Sequence, residues 1–260
     1  MPNKSLGQHW LKDRLILEAI ADCAELSKTD TVLEIGPGLG TLTSVLLQKA
    51  GQVVAVEFDE ALARKLPGQF PGTSLTVRHE NILDFDTDNF VHVYKVVGNI
   101  PYYITAKIVQ KFSTCTNSPE LMVLLVQKEV AERLAASPGS MSVLSVAAQL
   151  YNDVTLGPVV GAEWFTPPPK VDSQVVILKK RTADLVDRDE QKAFFRVVKA
   201  GFAERRKKLR SSLSGGLGIS KEQVDRLLSA CGLSPEVRAQ ELSIEQWKKV
   251  YSEYHVQTRS

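Results

Sequence analysis

A glycine loop at residues 36–40 constrains the fold more than any other feature of this sequence. The run TVLEI at residues 31–35 is typical of a buried strand, and GPGLG after it opens a segment with apolar residues at helical spacing. Glycines let the backbone pass close to a ligand, because a Cβ there would collide with it. The helix N-terminus beyond the loop favours a negative group. The sequence therefore predicts a ligand-binding strand–loop–helix unit.

Short β-branched runs alternate with helical patterns over the first two thirds of the chain. The predicted strands are residues 31–35, 53–57, 75–77, 93–97, 121–126, 154–160 and 174–178. Such alternation favours a mostly parallel sheet covered by helices. A proline-rich loop without a helix joins the last two strands, which predicts an antiparallel closing hairpin. We therefore expect an α/β fold with a Rossmann-like seven-stranded sheet and one reversed edge strand.

The composition becomes polar and charged around residues 182–189, and the sequence beyond has helical patterns. We predict a domain boundary there, with a sheet domain at residues 1–183 and a small all-helical domain at 184–260. Ser220 with Gln223 matches a capping box, and so does Ser243 with Gln246. Both motifs favour helices in the second domain.

Charge is unevenly distributed along the chain. The formal net charge is only +2, yet seven basic residues stand against one acid between residues 196 and 210. A local basic block of this kind indicates a surface that faces a polyanion, although a solvated helix face is the alternative.

Several classes of protein are disfavoured by composition. Three cysteines without a C-x-x-C pair and four scattered histidines argue against a disulfide framework and a metal site. The N-terminus lacks the apolar run of a signal peptide, and no stretch is apolar enough to span a bilayer. We expect a cytoplasmic protein that binds no metal and no membrane, and a monomer, since no coiled coil or apolar surface stripe is evident.

The spacing of the glycines bears on the ligand. A dinucleotide fingerprint needs its third glycine five residues after the first, whereas Gly36, Gly38 and Gly40 are two residues apart. Pro37 also removes a backbone donor. Glu57 ends the next strand, where it can accept hydrogen bonds from two ribose hydroxyls. These features favour S-adenosylmethionine over a pyrophosphate, with a dinucleotide enzyme and a structural turn as alternatives.

The motif Asn99-Ile100-Pro101-Tyr102 follows the fourth strand, at the sheet edge where open α/β folds bind ligands. An exocyclic adenine amine is a poor nucleophile because its lone pair is delocalised into the ring. Acceptors on Asn99 and on the Ile100 or Pro101 carbonyl would free that lone pair for attack on a sulfonium methyl group. Tyr102 offers a stacking face for an extruded base. The motif predicts methyl transfer to an adenine amine, with a plain strand-ending turn as the alternative.

The sequence resembles the ribosomal RNA adenine dimethyltransferase family, whose members modify two adjacent adenosines near the 3′ end of 16S RNA. The resemblance is carried by SLGQHWL (5–11), EIGPGLGTLT (34–43), NIPYYI (99–104), FTPPPKVDS (165–173) and AGFAERRKKLRSSL (200–213), and it covers essentially the whole chain. It implies S-adenosylmethionine as methyl donor and S-adenosylhomocysteine as product. The implied partner is 16S ribosomal RNA in the small subunit or its precursor.

The resemblance also implies roles for individual residues. The cofactor-binding residues it implies are His9, Leu11, Gly36, Gly38, Glu57, Asn81 and Asn99. The catalytic residues are Asn99, Tyr102 and Phe165, with Phe165 stacking on the target base opposite Tyr102. The RNA-binding residues are Arg205, Arg206, Lys207, Lys208 and Arg210. The chain departs from the family pattern at His9, where an Asn is usual, and at Asn81, where an Asp is usual; Asp84 is a less favoured substitute for that acid.

Other functions remain open. A large-subunit ribosomal RNA adenine methyltransferase has a similar catalytic domain, but the FTPPPKVDS loop and the basic helix favour the small subunit. A DNA adenine methyltransferase commonly has Asp first in its corresponding motif. A ribosome-assembly factor that acts mainly by binding RNA is a further alternative, since no motif separates binding from turnover.

Overall fold

A computed structural model describes residues 8–90, 92–204 and 206–259, and the chain divides into two compact units. The first unit contains residues 8–132 and 152–180, and the second contains 133–151 together with the described residues from 181 onwards. The predicted boundary after residue 183 differs from this division, because residues 133–151 cluster with the C-terminal helices. Their apolar side chains explain the difference, since Met141, Val146 and Leu150 are buried in the core of the second unit.

The first unit is built on a seven-stranded sheet. The strands of the chain are β1 (Trp10–Leu11), β2 (Thr31–Ile35), β3 (Gln52–Glu57), β4 (Leu75–His79), β5 (Tyr94–Asn99), β6 (Leu121–Gln127), β7 (Asn152–Val160), β8 (Phe165–Thr166) and β9 (Ser173–Lys180). The sheet has the order β4-β3-β2-β5-β6-β9-β7, while β1 and β8 pair with each other. β2 to β6 are parallel neighbours. The predicted seven-stranded α/β architecture is thus confirmed.

The reversed strand lies inside the sheet, so the prediction of a reversed edge strand was wrong. β9 is antiparallel to both β6 and β7, and β7 forms the edge. Burial explains the order: Val175, Val176 and Leu178 on β9 are inaccessible to solvent, whereas five of the nine residues of β7 are exposed. A strand that is apolar on both faces is stable only where helices cover both faces.

Four helices belong entirely to the first unit: α1 (Arg14–Asp22), α2 (Thr41–Lys49), α3 (Glu60–Gln69) and α4 (Thr105–Thr114), and α5 (Lys128–Leu134) follows β6. Side-chain caps fix where two of them begin. Asp13 accepts a hydrogen bond from the Ile16 backbone N–H, and Asp59 accepts from those of Ala61 and Leu62. The cap residue Asp59 lies two residues after Glu57, so α3 begins directly beyond the carboxyl end of β3, where Glu57 lies.

The second unit is helical, as predicted for the C-terminal part. Its helices are α6 (Val143–Gln149), α7 (Gln191–Phe202), α8 (Leu209–Leu217), α9 (Lys221–Ala230) and α10 (Ile244–Arg259). The capping box at Ser220 and Gln223 is present, and Ser243 with Gln246 exchanges the same two hydrogen bonds. In the part of the chain that the structure describes, no helix is long and apolar enough to cross a membrane.

Candidate active site

A cavity of about 340 Å³ opens at the carboxyl edge of the sheet, entirely within the first unit. Its volume falls in the usual range of small-molecule sites. β3 and β4 lie on one side of β2, and β5 and β6 lie on the other. The strand order therefore reverses between β2 and β5, which is the switch point where open α/β sheets bind ligands.

Eight of the predicted site residues line this cavity. They are His9, Leu11, Gly36, Gly38, Glu57, Asn81, Asn99 and Tyr102. They come from the N-terminal segment, the glycine loop and the ends of β3, β4 and β5, so distant parts of the sequence converge on one site. The lining also includes Thr41, Phe58, Glu80, Tyr103 and Lys107, which the sequence analysis did not assign.

The glycine loop has the conformation that its residues require. Gly38 has a φ of +56°, in the left-handed region that favours glycine. An added Cβ at Gly38 would lie 3.7 Å from the Trp10 ring. The Gly38 backbone N–H donates to Oε2 of Glu57 at 3.0 Å. The loop is thereby tied to the end of β3, with its backbone exposed to the cavity.

Glu57 is a buried acid with capacity for further hydrogen bonds. Its side chain is only 6% exposed, and Oε1 accepts from the Asp59 N–H at 2.8 Å. Burial raises the pKa of Glu57, although its backbone hydrogen bonds oppose the rise. Each carboxylate oxygen has a second lone pair. Glu57 can therefore accept from two neighbouring hydroxyls, as a ribose would require.

A second acid lies beneath the glycine loop. Glu34 on β2 is 1% exposed, and burial, together with repulsion from nearby Glu57, raises its pKa to about 8. Glu34 is not part of the cavity lining. At neutral pH Glu34 is therefore largely protonated, and the acids that line the cavity on this side are Glu57 and Glu80.

Asn81 lines the cavity from the loop after β4. Its Oδ1 accepts from the Leu83 N–H at 3.1 Å, and its Nδ2 donates to Asp84 at 2.9 Å. One N–H and one lone pair of the amide remain for a ligand. Asp84 itself is exposed and does not line the cavity, so it contacts this site only through Asn81.

Asn99 is oriented by the N-terminal segment. Its Nδ2 donates to the His9 carbonyl at 3.1 Å, which leaves Oδ1 as the acceptor of the amide. Thr41 Oγ1 donates to the Leu11 carbonyl at 2.8 Å. Residues 10 and 11 also form β1, which pairs with β8. The sequence analysis missed this pairing and Thr41, although Thr41 occupies the place where the dinucleotide loop needs a glycine.

Tyr102 and His9 form an aromatic pair at the cavity. Their ring centroids are 5.9 Å apart and the planes differ by 17°. The Tyr102 hydroxyl is 2.8 Å from Ser173 Oγ, and burial raises the Tyr102 pKa, so the phenol stays neutral. His9 Nδ1 donates to the Pro167 carbonyl at 2.7 Å, because a carbonyl can only accept. These two hydrogen bonds, to Ser173 and to the Pro167 carbonyl, fix both rings.

The structure does not place Phe165 at the cavity, where the sequence analysis expected it to stack on the target base opposite Tyr102. The side chain is 3% exposed, belongs to the hydrophobic core and is not part of the cavity lining. Its backbone pairs with Leu11 through β8 and β1, and both side chains belong to the same buried cluster. The ring next to Tyr102 is that of His9. Stacking of Phe165 on a base would require the ring to leave the core.

The basic run of the second unit does not form one helix. α7 ends at Phe202 and α8 begins at Leu209, so most of the run lies in the connection. The Leu209 N–H donates to the Val237 carbonyl at 2.8 Å, which fixes the start of α8. Arg205, like residues 5–7 of the N-terminal motif, lies outside the described residues.

Acidic neighbours pair with three of the four described residues of this run. Lys207 contacts Glu204 at 2.8 Å, Lys208 contacts Glu236, and Arg210 makes two 2.6 Å bonds to Asp225. Arg206 is exposed and makes no ion pair in the described part of the chain. These pairs reduce the net positive charge of the surface.

The residues present fit S-adenosylmethionine. Glu57 provides acceptors for the ribose hydroxyls, the glycine loop brings backbone groups close to a ligand, and Asn99 faces the same cavity. The cavity extends from this group of residues to Tyr102, which leaves a place for a planar base beside the methyl donor.

Comparisons with known proteins agree with this geometry. The family model described as "Ribosomal RNA adenine dimethylase" matches residues 2–255. A protein of Dehalococcoides mccartyi (strain CBDB1), named "Ribosomal RNA small subunit methyltransferase A", is 41% identical over 96% of this chain and 88% of its own.

Two solved structures are similar over almost the whole chain. A dimethyladenosine transferase from Plasmodium falciparum has a TM-score of 0.84 and 26% identity, covering 96% of this chain and 98% of its own. A 23S ribosomal RNA methyltransferase has a TM-score of 0.78 and 27% identity, covering 94% and 98%. Because the family model matches nearly every residue, the chain belongs to the ribosomal RNA adenine dimethylase family.

Proposed function

We propose that this protein transfers methyl groups from S-adenosylmethionine to the N6 amines of two adjacent adenosines near the 3′ end of 16S ribosomal RNA. The substrate is the small ribosomal subunit or its precursor, and the protein acts as a monomer in the cytoplasm. One observation carries the proposal: a single cavity is lined by the glycine loop, by Glu57 and by the Asn99–Tyr102 turn.

The β3 and β4 side of the cavity holds the cofactor in this account. Glu57 accepts from the ribose hydroxyls, and the free N–H of Asn81 binds the adenine ring. Gly36 and Gly38 allow the methionine part to approach the backbone, and His9 and Leu11 cover it through the N-terminal segment. Bound S-adenosylmethionine supplies an electrophilic methyl group on a positively charged sulfur.

The β5 side holds the target base. Asn99 Oδ1 accepts one hydrogen of the adenine amine. The Pro101 carbonyl already accepts from the Ile104 N–H at 3.2 Å, so we assign the second acceptor to the Ile100 carbonyl. These two acceptors draw the amine nitrogen towards tetrahedral geometry and free its lone pair. Tyr102 stacks on the base and fixes the direction of attack.

Two successive transfers to one nitrogen are compatible with these groups. After the first transfer the amine keeps one hydrogen, which Asn99 alone can hold. The methylated nitrogen is acidic while it carries a positive charge, and it releases its proton to water. A dedicated base is not required for either step.

Contacts to the RNA backbone are assigned to the basic run, comprising Arg205, Arg206, Lys207, Lys208 and Arg210. Ion pairs between exposed side chains are weak. Phosphates can therefore displace Glu204, Glu236 and Asp225 from their partners. The sheet unit supplies the chemistry and the helical unit supplies part of the RNA surface.

The choice of 16S RNA rests on the relatives. The curated relative at 41% identity is named a small-subunit methyltransferase, whereas the large-subunit enzyme is 27% identical. To test this, the protein is incubated with labelled S-adenosylmethionine and with small subunits, large subunits or naked RNA that lack adenine methylation. We expect dimethyladenosine at two adjacent positions of 16S RNA by mass spectrometry. Dimethylation of 23S RNA alone contradicts the substrate, and tight subunit binding without methylation contradicts the enzyme function.

A further inference from the structure

Two exposed aromatic side chains stand at the cavity, one on each side of the switch point. Phe58, 59% exposed, follows β3, and Tyr103, 67% exposed, follows β5. Because β2 lies between β3 and β5, the two rings belong to different halves of the site. The acids Glu57 and Glu80 both come from the β3 and β4 half. The half with Tyr103 therefore lacks their negative charge.

Tyr102 and Tyr103 are consecutive but have different surroundings. The Tyr102 ring lies beside His9 and its hydroxyl bonds Ser173, whereas the Tyr103 ring is mostly in solvent. An exposed aromatic face next to a base pocket offers a second stacking surface. Base–aromatic stacking is worth about 1–3 kcal/mol per base and tolerates any base.

A lysine lies on the same side as Tyr103. The backbone is helical from Ile104 into α4, with a φ of −49° and a ψ of −51° at Thr105. Lys107 lies in the first turn of α4, four residues after Tyr103, and both residues line the same cavity. Lys107 is exposed, lines the cavity and makes no ion pair in the described part of the chain. A nucleotide has a flat base that can stack on the Tyr103 ring and a phosphate that can pair with the Lys107 ammonium, so the two side chains together suit one nucleotide.

We propose that Tyr103 and Lys107 form a binding site for the nucleotide next to the target adenosine. Tyr103 stacks on that base, and Lys107 pairs with the phosphate that joins the two nucleotides. The inference rests on the proposed function and deepens it. While one adenosine of the adjacent pair occupies the Tyr102 pocket, the other rests on Tyr103. The enzyme thereby recognises two adjacent bases rather than one.

The test uses small subunits reconstituted with 16S RNA in which one of the two adjacent adenosines is replaced by 2-aminopurine. This base lacks the N6 amine and fluoresces less when it stacks. Both placements are made, and the remaining adenosine serves as the methylation target. We expect wild-type protein and Tyr103→Phe to quench the fluorescence in at least one placement. Tyr103→Ala should lose most of that quenching and raise KM for the subunit about tenfold.

Phe58→Ala is the matched control, because it removes a similarly exposed ring from the other half of the same cavity. It should retain the quenching. Lys107→Gln should lower the slope of log affinity against log salt by about one, as loss of one phosphate contact predicts. Quenching by Tyr103→Ala equal to that of wild type, with normal methylation of the remaining adenosine, overturns the inference. If wild-type protein methylates neither unmodified nor substituted subunits, the proposed function is overturned, and this inference with it.

Discussion

The cavity in the sheet unit and the basic run between α7 and α8 hold their polar groups in different ways. In the cavity, Glu57 and Asn99 are fixed by backbone donors and carbonyls and are largely buried. In the basic run, Lys207 and Lys208 pair with acids through exposed side chains. Buried, oriented groups act strongly on a ligand, whereas exposed pairs are weakened by water and salt.

This difference implies two scales of effect. Substitutions in the cavity should change turnover or cofactor affinity by orders of magnitude. Substitutions in the basic run should change RNA affinity by small factors that depend on salt.

The largest effect is expected for Asn99→Ala. It removes the acceptor for the target amine and the donor that holds the His9 carbonyl. We expect single-turnover methyl transfer at saturating cofactor to slow by roughly 10²–10³-fold, as for loss of one oriented polar group in an active site. Asn99→Asp should fall between wild type and Asn99→Ala, because it keeps an acceptor but loses the donor. A rate within threefold of wild type for Asn99→Ala would contradict this account.

Glu57→Gln should weaken S-adenosylmethionine binding by roughly ten- to a hundredfold, since charge-assisted hydrogen bonds are worth about 1.5–3 kcal/mol. The measurement is calorimetric titration at several pH values. Burial raises the pKa of Glu57, so wild-type affinity should fall as the pH drops through that raised pKa and the acceptor is protonated. The variant should lack this dependence. Parallel pH profiles for the two proteins would show that Glu57 does not bind the ribose.

Glu34→Gln tests how burial controls charge beneath the glycine loop. The pKa of Glu34 rises from 4.5 to about 8, so the folded chain keeps a proton that the unfolded chain has lost. Stability should then decrease as the pH rises between these values, by up to about 1.4 kcal/mol per pH unit. Urea unfolding at pH 5.5, 6.5 and 7.5 should show this loss in wild type relative to Glu34→Gln. Equal pH dependence of the two proteins would mean that Glu34 is ionised in the fold.

The smallest effects are expected in the basic run. Arg206→Ala should weaken binding to small subunits about two- to fivefold at low salt, and the loss should diminish at high salt. Glu204→Gln should tighten binding slightly, because it releases Lys207 from its partner. Filter binding across a salt series measures both. Salt-independent losses, or no gain from Glu204→Gln, would break the proposed contrast between the two regions.

Local patterns were sufficient to predict eight of the residues that line the cavity. The seven strands of the sheet have β-branched runs bounded by turn residues, and the cavity residues follow those strands directly. Asn99 and Glu57 could be assigned because parallel strands end at the same edge of a sheet. The capping boxes at Ser220 and Ser243 were equally readable, because each depends on residues three apart.

Pairing between distant segments could not be read in the same way. The β1–β8 pair contains Phe165, whose side chain is buried in the core, and His9, which lies beside Tyr102, directly precedes β1. No periodicity in the sequence encodes this pairing. The internal position of β9 depends on which strand is apolar on both faces. The ion pairs of Lys208 and Arg210 involve acids from later segments of the chain. The run of basic residues alone therefore predicted a more positive surface than the structure has.

The most direct test of the account is a crystal structure with S-adenosylhomocysteine bound, since the central claim is that one cavity binds cofactor and target base on opposite sides of β2. We predict ribose hydroxyls within hydrogen-bonding distance of both Glu57 oxygens, with the sulfur directed towards Asn99. Seen from the ribose, the ring of Tyr102 should lie beyond the sulfur. A cofactor whose ribose lies away from Glu57, or whose sulfur points away from Asn99, would contradict the claim.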